Sequence, residues 1–384
     1  MNNCVVCDWE LGEPLYRSPQ PRSITSLCEV LPHGVTVHFC DRCGHLQTGA
    51  LGDLAAYYNQ SYKILIASED EDQLYTTLLD GRKVFRTEHQ VETLMRLAPP
   101  RAGARVLDYG CAKSSTLRAL FERRPDVAPH CFDVSELYEP FWRKFLPEGN
   151  WAVHTTPPSW KESFDLITSF FALEHTARPQ QFAHAVADLL RPGGTFYGIV
   201  PNTYANPADF LVADHVNHFS SASLQTLLAR AGLHAQFVES SVHNSAWVFA
   251  ARKVGRVEQL AIAAAERTKL HDQAAGLGRY WGAYASAVTA FEERTVTRGP
   301  AAIYGSGFYG TSIASNLREP ERIVCFLDQN PHRQKHTLLG KPILPPEALP
   351  SEVRTIYVGL NPTIARSVAE APLFRGRELE YFLG

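Results

Sequence analysis

Between residues 105 and 202 short apolar runs recur, each closed by an acid or a small-residue turn and most followed by a stretch of helical period. Residues 105–113 read RVLDYGCAK, an apolar strand ending in Asp108 and then a turn. Ser115–Phe121 has helical spacing, and His130–Asp133 is a second short strand that again ends in an acid. Ser163–His175 carries a third strand, a helix closes at Leu190–Gly194 (LRPGG), and Thr195–Asn202 gives one more strand. Strands that alternate with helices in this way predict a parallel sheet covered on both faces. In such sheets ligands bind beyond the carboxyl ends of the strands, where strand order reverses.

The flanks carry different patterns. Leu51–Tyr62 and Arg82–Leu97 read as helices, and Pro99 with Pro100 ends the second before the first strand. Residues 235–239 and 245–251 read as edge strands that close the first sheet. Val254–Thr297 is rich in Ala, Glu and Arg and contains no proline, which predicts one or two long helices stopped at Arg298–Pro300. A second α/β unit follows, with strands at 301–304, 323–328 and 355–359 and helices at 311–317 and 365–370. The expected organisation is a lobe at 1–50, a helical connector at 51–100, an α/β core at 101–252, linking helices at 253–298 and a C-terminal Rossmann-like half domain at 299–384.

Composition narrows the chemistry. A chain of 384 residues is long enough for two or three domains with real cores. A formal net charge of −3 offers no electrostatic footprint for nucleic acid. No apolar run reaches membrane-spanning length and the N-terminus does not read as a signal peptide, so a cytoplasmic location is expected. The oligomeric state is left open. Cys4 and Cys7 form one C-x-x-C pair, and Cys40 and Cys43 form another. In a cytosolic chain two such pairs point to one four-sulfur Zn²⁺ site, and a closed site of that kind is structural. Four free thiols in an ordinary lobe are the other reading. Cys28, Cys111, Cys131 and Cys325 read as core or turn residues.

The series of segments from 105 to 202 resembles the class I S-adenosylmethionine (SAM) methyltransferases. That resemblance implies that the turn at Gly110 holds the methionine part of SAM, with Asp108 bonding indirectly to its amine. Asp133 would accept both ribose hydroxyls, and Phe170 and Glu174 would lie beside the cofactor. Ala112 and Ser114 stand where the family's second and third turn glycines are usual, and both are small enough to allow close approach. The second α/β unit has its own Gly-x-Gly-x-x-Gly turn at Gly305–Gly310, with Asp328 about 20 residues further on. Taken alone that pattern points to NAD. A half domain contributing to the substrate site is the reading that suits so short a unit.

The order of zinc knuckles, SAM core, linking helices and C-terminal half domain resembles the sugar C-methyltransferases that act on nucleotide-linked deoxysugars, and the likeness covers nearly the whole chain. Residues 328–331 (DQNP) and 339–344 (LGKPIL) also look like the family's last domain. Residues 213–220 read ADHVNHFS, matching the family's His-Glu-His segment with its Phe-Ser pair. Asp214 takes the place of the family's Glu, and His215 that of the histidine that acts as base. The resemblance implies that a proton is removed next to a keto group and the enolate then takes the SAM methyl. Methylation of a hydroxyl on the same scaffold is the alternative. Val212 and Ala213 depart from the family's Tyr and His. Because His-Phe-Ser before a helix also occurs in unspecialised SAM enzymes, His215 or His218 has a second reading as a helix cap or pocket lining. His175 reads as pocket wall. Tyr57, Tyr58, Tyr62, His218, Gly305 and Asp328 are candidates for the sugar nucleotide, with helix packing equally open for the three tyrosines.

Overall fold

β1 (Arg105–Tyr109) lies at the middle of a seven-stranded sheet, and its neighbours explain why the apolar runs are so nearly continuous. The other strands are β2 (Ala128–Asp133), β3 (Trp151–Val153), β4 (Phe164–Phe170), β5 (Leu190–Pro201), β6 (Leu233–Glu239) and β7 (Ala246–Lys253). Their order is β3-β2-β1-β4-β5-β7-β6, and only β7 runs antiparallel to its neighbours. Helices cover both faces, so successive residues of one strand enter opposite cores. Val106, Leu166, Tyr197 and Val248 pack on one face with α1 (Arg86–Leu97) and α2 (Ser115–Arg123). Leu107, Ile167, Phe196 and Phe249 pack on the other with α3 (Pro179–Leu189) and α4 (Ser221–Arg230). The order reverses between β1 and β4, which puts the carboxyl ends of those two strands at the ligand crevice.

This computed structural model describes residues 3–49, 64, 66, 68–78, 80–258 and 261–384. Two compact units emerge, and they cut across the linear order of the sequence. The first comprises Met1–Leu15, Thr36–Asp209 and Asp214–Ala274; the second comprises Tyr16–Val35, Phe210–Ala213 and Ala275–Gly384. In the first unit strands at Thr36–Phe39, Leu46–Thr48 and Asn217–His218 form an antiparallel ladder. Of the stretch 254–297, read as one or two helices, residues Ala264–Thr295 form one helix, α5.

The second unit holds a sheet of β8 (Ala301–Tyr304), β9 (Ile323–Leu327), β10 (Thr337–Leu338), β11 (Lys341–Leu344), β12 (Thr355–Val358) and β13 (Glu380–Phe382). Their order is β10-β11-β9-β8-β12-β13. Ala302, Cys325, Ile356 and Val358 form its core with Ala365 and Val368 of α7 (Pro362–Ala369), and α6 (Phe308–Asn316) follows the glycine turn. The expected α/β class holds for both units. One local expectation differs: β7 pairs on both sides and is not an edge strand. Its Val248 and Phe249 are both buried, which is the pattern of an inner strand. Among the described residues no helix is long and apolar enough to cross a membrane.

Candidate active site

The turn after β1 is built from left-handed backbone. Gly110, Ala112 and Ser114 have φ of 71°, 45° and 58°. Two of these residues therefore hold a shape that glycine adopts without strain and L-residues resist. A Cβ on Gly110 would lie 2.8 Å from the Cβ of Ala172, so that position admits no side chain. The turn is tied down from beneath. Ser114 Oγ donates to Asp108 Oδ2 at 2.7 Å and Thr168 Oγ1 donates to Oδ1 at 2.9 Å. Asp133 Oδ2 accepts from the Ala112 N–H at 2.7 Å, and its Oδ1 from the Ser135 N–H at 3.0 Å. Burial pushes Asp108 up to about 7 against the two hydroxyl bonds, and it raises Asp133 as well. Two buried acids at adjacent strand ends thus brace a strained, small-residue loop. Ala112→Gly should relieve left-handed strain of about 1–2 kcal/mol against about 0.5–1 kcal/mol of added chain entropy. The expected result is equal or higher stability in a denaturant titration with SAM affinity unchanged.

A second set of side chains lies past the end of β4. Phe170 ends that strand opposite Ile199, and Phe171 follows with φ of 55°, a strained conformation for a bulky residue. Its ring lies beneath the Arg86 guanidinium at 4.7 Å and edge-on to His243 at 5.5 Å. Glu174 and His175 follow in a short helical turn, both buried. His175 Nδ1 donates to the Asp214 carbonyl at 3.0 Å, and the Asp214 carboxylate lies 3.8 Å from the same nitrogen. Burial, reinforced by the charge on His215, lowers His175 to about 4.

The sequence singled out Asp214 as the carboxylate beside His215; its charge acts on that ring, and Asp209 supplies the direct hydrogen bond. His215 Nδ1 donates to Asp209 Oδ1 at 2.5 Å, and His218 Nδ1 donates to Oδ2 at 3.0 Å. Burial alone would lower His215, but the Asp209 hydrogen bond and charge, helped by Asp214 and Glu174, raise it to about 9. Burial alone would raise Asp209, yet the His218 charge and the two imidazole bonds hold it well below the carboxylate range. No motif flagged Asp209, because it sits six residues before His215 in the turn Pro207–Leu211.

The segment carrying His215 is clamped to the cysteine lobe. Asn217 and His218 pair with Gln47 and Leu46, Thr48 Oγ1 donates to the His215 carbonyl at 3.2 Å, and the Thr48 N–H donates to the Val216 carbonyl at 3.1 Å. Asn217 takes its amide oxygen to His45 Nε2 at 3.2 Å and donates to the Thr176 carbonyl at 2.7 Å. In that lobe each C-x-x-C closes the same way. The Asp8 N–H donates to the Cys4 carbonyl at 2.9 Å and the Gly44 N–H to the Cys40 carbonyl at 2.9 Å; both closing residues have φ near +65°, at 61° and 69°. Cys4 and Cys43 sulfurs lie 3.7 Å apart, and Cys7 and Cys40 sulfurs 3.5 Å. All four sulfurs lie within 4.8 Å of one another and are buried. A tetrahedron with Zn–S bonds of about 2.3 Å sets sulfurs about 3.8 Å apart, so the donor set fits that ion.

In the second unit the Gly305 turn is packed by its own chain. A Cβ on Gly305 would meet the Gly359 carbonyl oxygen at 2.3 Å, and one on Gly310 would meet the Gly305 oxygen at 2.0 Å. Asp328 Oδ2 accepts from the Ser306 N–H at 3.1 Å and its hydroxyl at 2.5 Å, and Oδ1 from the Asn330 N–H at 2.9 Å. Asp328 thus serves its own loop. Tyr57, Tyr58 and Tyr62 lie outside the described residues.

Residues 83–236 match the family model for a methyltransferase domain. No curated protein matches the chain. Among solved structures, a SAM-dependent methyltransferase from Mesorhizobium loti is 19% identical, covering 43% of this chain and 97% of that one, with a TM-score of 0.36. One from Aquifex aeolicus is 19% identical, covering 43% and 89%, with a TM-score of 0.37. The strand order, the braced turn after β1 and the family match over 83–236 converge: the chain carries a methyltransferase domain of the class I fold and is a SAM-dependent methyltransferase enzyme through that domain.

Proposed function

We propose that the enzyme methylates a carbon of a nucleotide-linked keto-deoxysugar, with His215 as the base. The Asp209–His215 hydrogen bond at 2.5 Å carries this reading. Holding Nδ1–H on a carboxylate leaves Nε2 as the basic nitrogen and stabilises the imidazolium that proton abstraction forms. The sugar itself is read from the likeness of residues 213–220 and of the domain order to the sugar C-methyltransferases. Gly110, Ala112, Asp108, Asp133 and Phe170 would hold SAM, which supplies an electrophilic methyl group on a sulfonium. Cys4, Cys7, Cys40 and Cys43 would hold a structural zinc ion with no open position.

The test is solvent exchange. In D2O without SAM, the enzyme should wash deuterium into the carbon next to the keto group of a nucleoside-diphosphate keto-deoxyhexose. A methyltransferase that turns over sugar nucleotides without any exchange would act on oxygen instead. Because His215 must be neutral to accept a proton, kcat/KM should rise with pH toward about 9, the value set by Asp209 over the opposing effect of burial.

A further inference from the structure

Glu174 is fully buried, yet among the described residues no other residue gives either carboxyl oxygen a hydrogen bond. An unsatisfied buried polar group costs roughly 1–3 kcal/mol, and more when charged, so its retention calls for a partner that arrives with the substrate. Its surroundings say what kind. One carboxyl oxygen of Glu174 and ring nitrogens of His175 and His215 all lie within 4.8 Å of one another. An oxygen atom seated among the three lies within about 2.8 Å of the Glu174 carboxyl. That carboxyl is the one member of the set with a proton to give, since the His175 and His215 Nδ1–H groups are already placed on the Asp214 carbonyl and the Asp209 carboxylate. The backbone holds Glu174 in place, since its carbonyl accepts the Val216 N–H at 2.9 Å, next to the base.

Resting on the carbon-methylation reading above, we propose that Glu174 is a catalytic hydrogen-bond donor that grips the acceptor's carbonyl oxygen while His215 draws the proton from the adjoining carbon. The C–H bond breaks and its pair forms a carbon–carbon double bond. The carbonyl pair moves onto oxygen, where the Glu174 O–H meets the developing charge, and the proton resides on His215. When the new carbon–carbon bond to the methyl group forms, the pair leaving with sulfur neutralises the sulfonium, the carbonyl reforms, and His215 sheds its proton to solvent. The step requires a protonated carboxyl beside a neutral His215. Burial pushes Glu174 up to about 8, opposed by the charge of His215, its own backbone N–H and the charge of Arg86 and aided by Asp209. Donor and base are therefore competent together in a minor ionic form that is most populated between about 8 and 9.

The experiment uses full-length enzyme and a nucleoside-diphosphate keto-deoxyhexose in D2O. Glu174→Leu removes a buried carboxyl that no other described residue hydrogen-bonds, so it should fold about as stably. It should lose exchange and turnover about 10²–10³-fold, as removing one oxyanion donor does, with SAM affinity by calorimetry unchanged. Glu174→Gln, which keeps an N–H donor that does not ionise, should recover part of the rate and abolish the alkaline fall above about pH 9. Unchanged exchange in Glu174→Leu overturns the role. So does weakened SAM binding with exchange intact, which would assign Glu174 to the cofactor. So does a divalent ion bound by wild type, beyond that of the four cysteines, and absent from Glu174→Leu. Absence of exchange in wild-type enzyme sinks the carbon-methylation reading instead.

Discussion

His215→Ala is expected to lower turnover by about 10²–10⁴-fold, the range that a positioned general base contributes. Deuterium exchange into the acceptor should vanish in the same variant, while SAM still binds with wild-type affinity. The separation follows from the geometry. His215 is held by the Asp209 carboxylate, by Thr48 on its carbonyl and by the Asn217–His218 strand that follows it, whereas the braced turn at Gly110–Ser114 hangs on Asp108 and Asp133. Removing one imidazole leaves every bond of that turn in place. An alanine variant that binds SAM, folds, and turns over at the wild-type rate removes His215 from the mechanism.

Asp209→Asn should have the next largest effect, and its signature is a changed pH profile. The carboxylate accepts from both His215 and His218, and with Asp214 and Glu174 nearby it lifts His215 from the usual value near 6.5 to about 9. An amide keeps the shape but removes the charge, and it offers an N–H where the imidazole needs an acceptor. Two consequences are expected: a loss of roughly 10²–10³-fold at the optimum, and movement of the rising limb of kcat/KM from about 9 toward lower pH. A merely structural Asp209 would lower the rate without moving that limb. Asp214→Asn should move the same limb less, because its carboxylate lies 3.8 Å from His175 and acts on His215 through its charge.

Much of this was legible in the chain. The acids closing β1 and β2, the small-residue turn and the LRPGG corner mark a fold whose strands are buried on both faces, and period and punctuation carry that kind of information. The roles of Ala112 and Ser114 were half legible: their size permits the turn, but only the backbone reveals φ of 45° and 58°. The partner of His215 was not legible. Asp214 is adjacent in sequence and acts on the ring through its charge, but the hydrogen bond comes from Asp209, which the fold brings round from six residues earlier. The orphaned state of Glu174 was equally hidden, since a missing hydrogen bond is a property of three-dimensional surroundings. Nor did the linear domain order foretell that residues 16–35 lie in a different compact unit from the cysteine pairs on either side.

The ladder between Leu46–Thr48 and Asn217–His218 binds metal chemistry to proton chemistry through thermodynamic linkage. If the four sulfurs gain free energy by closing on an ion, that energy also orders the strand whose other edge carries the base. Reciprocity then runs backward: an acceptor that rigidifies the base should raise the chelator concentration needed to strip the ion at equilibrium.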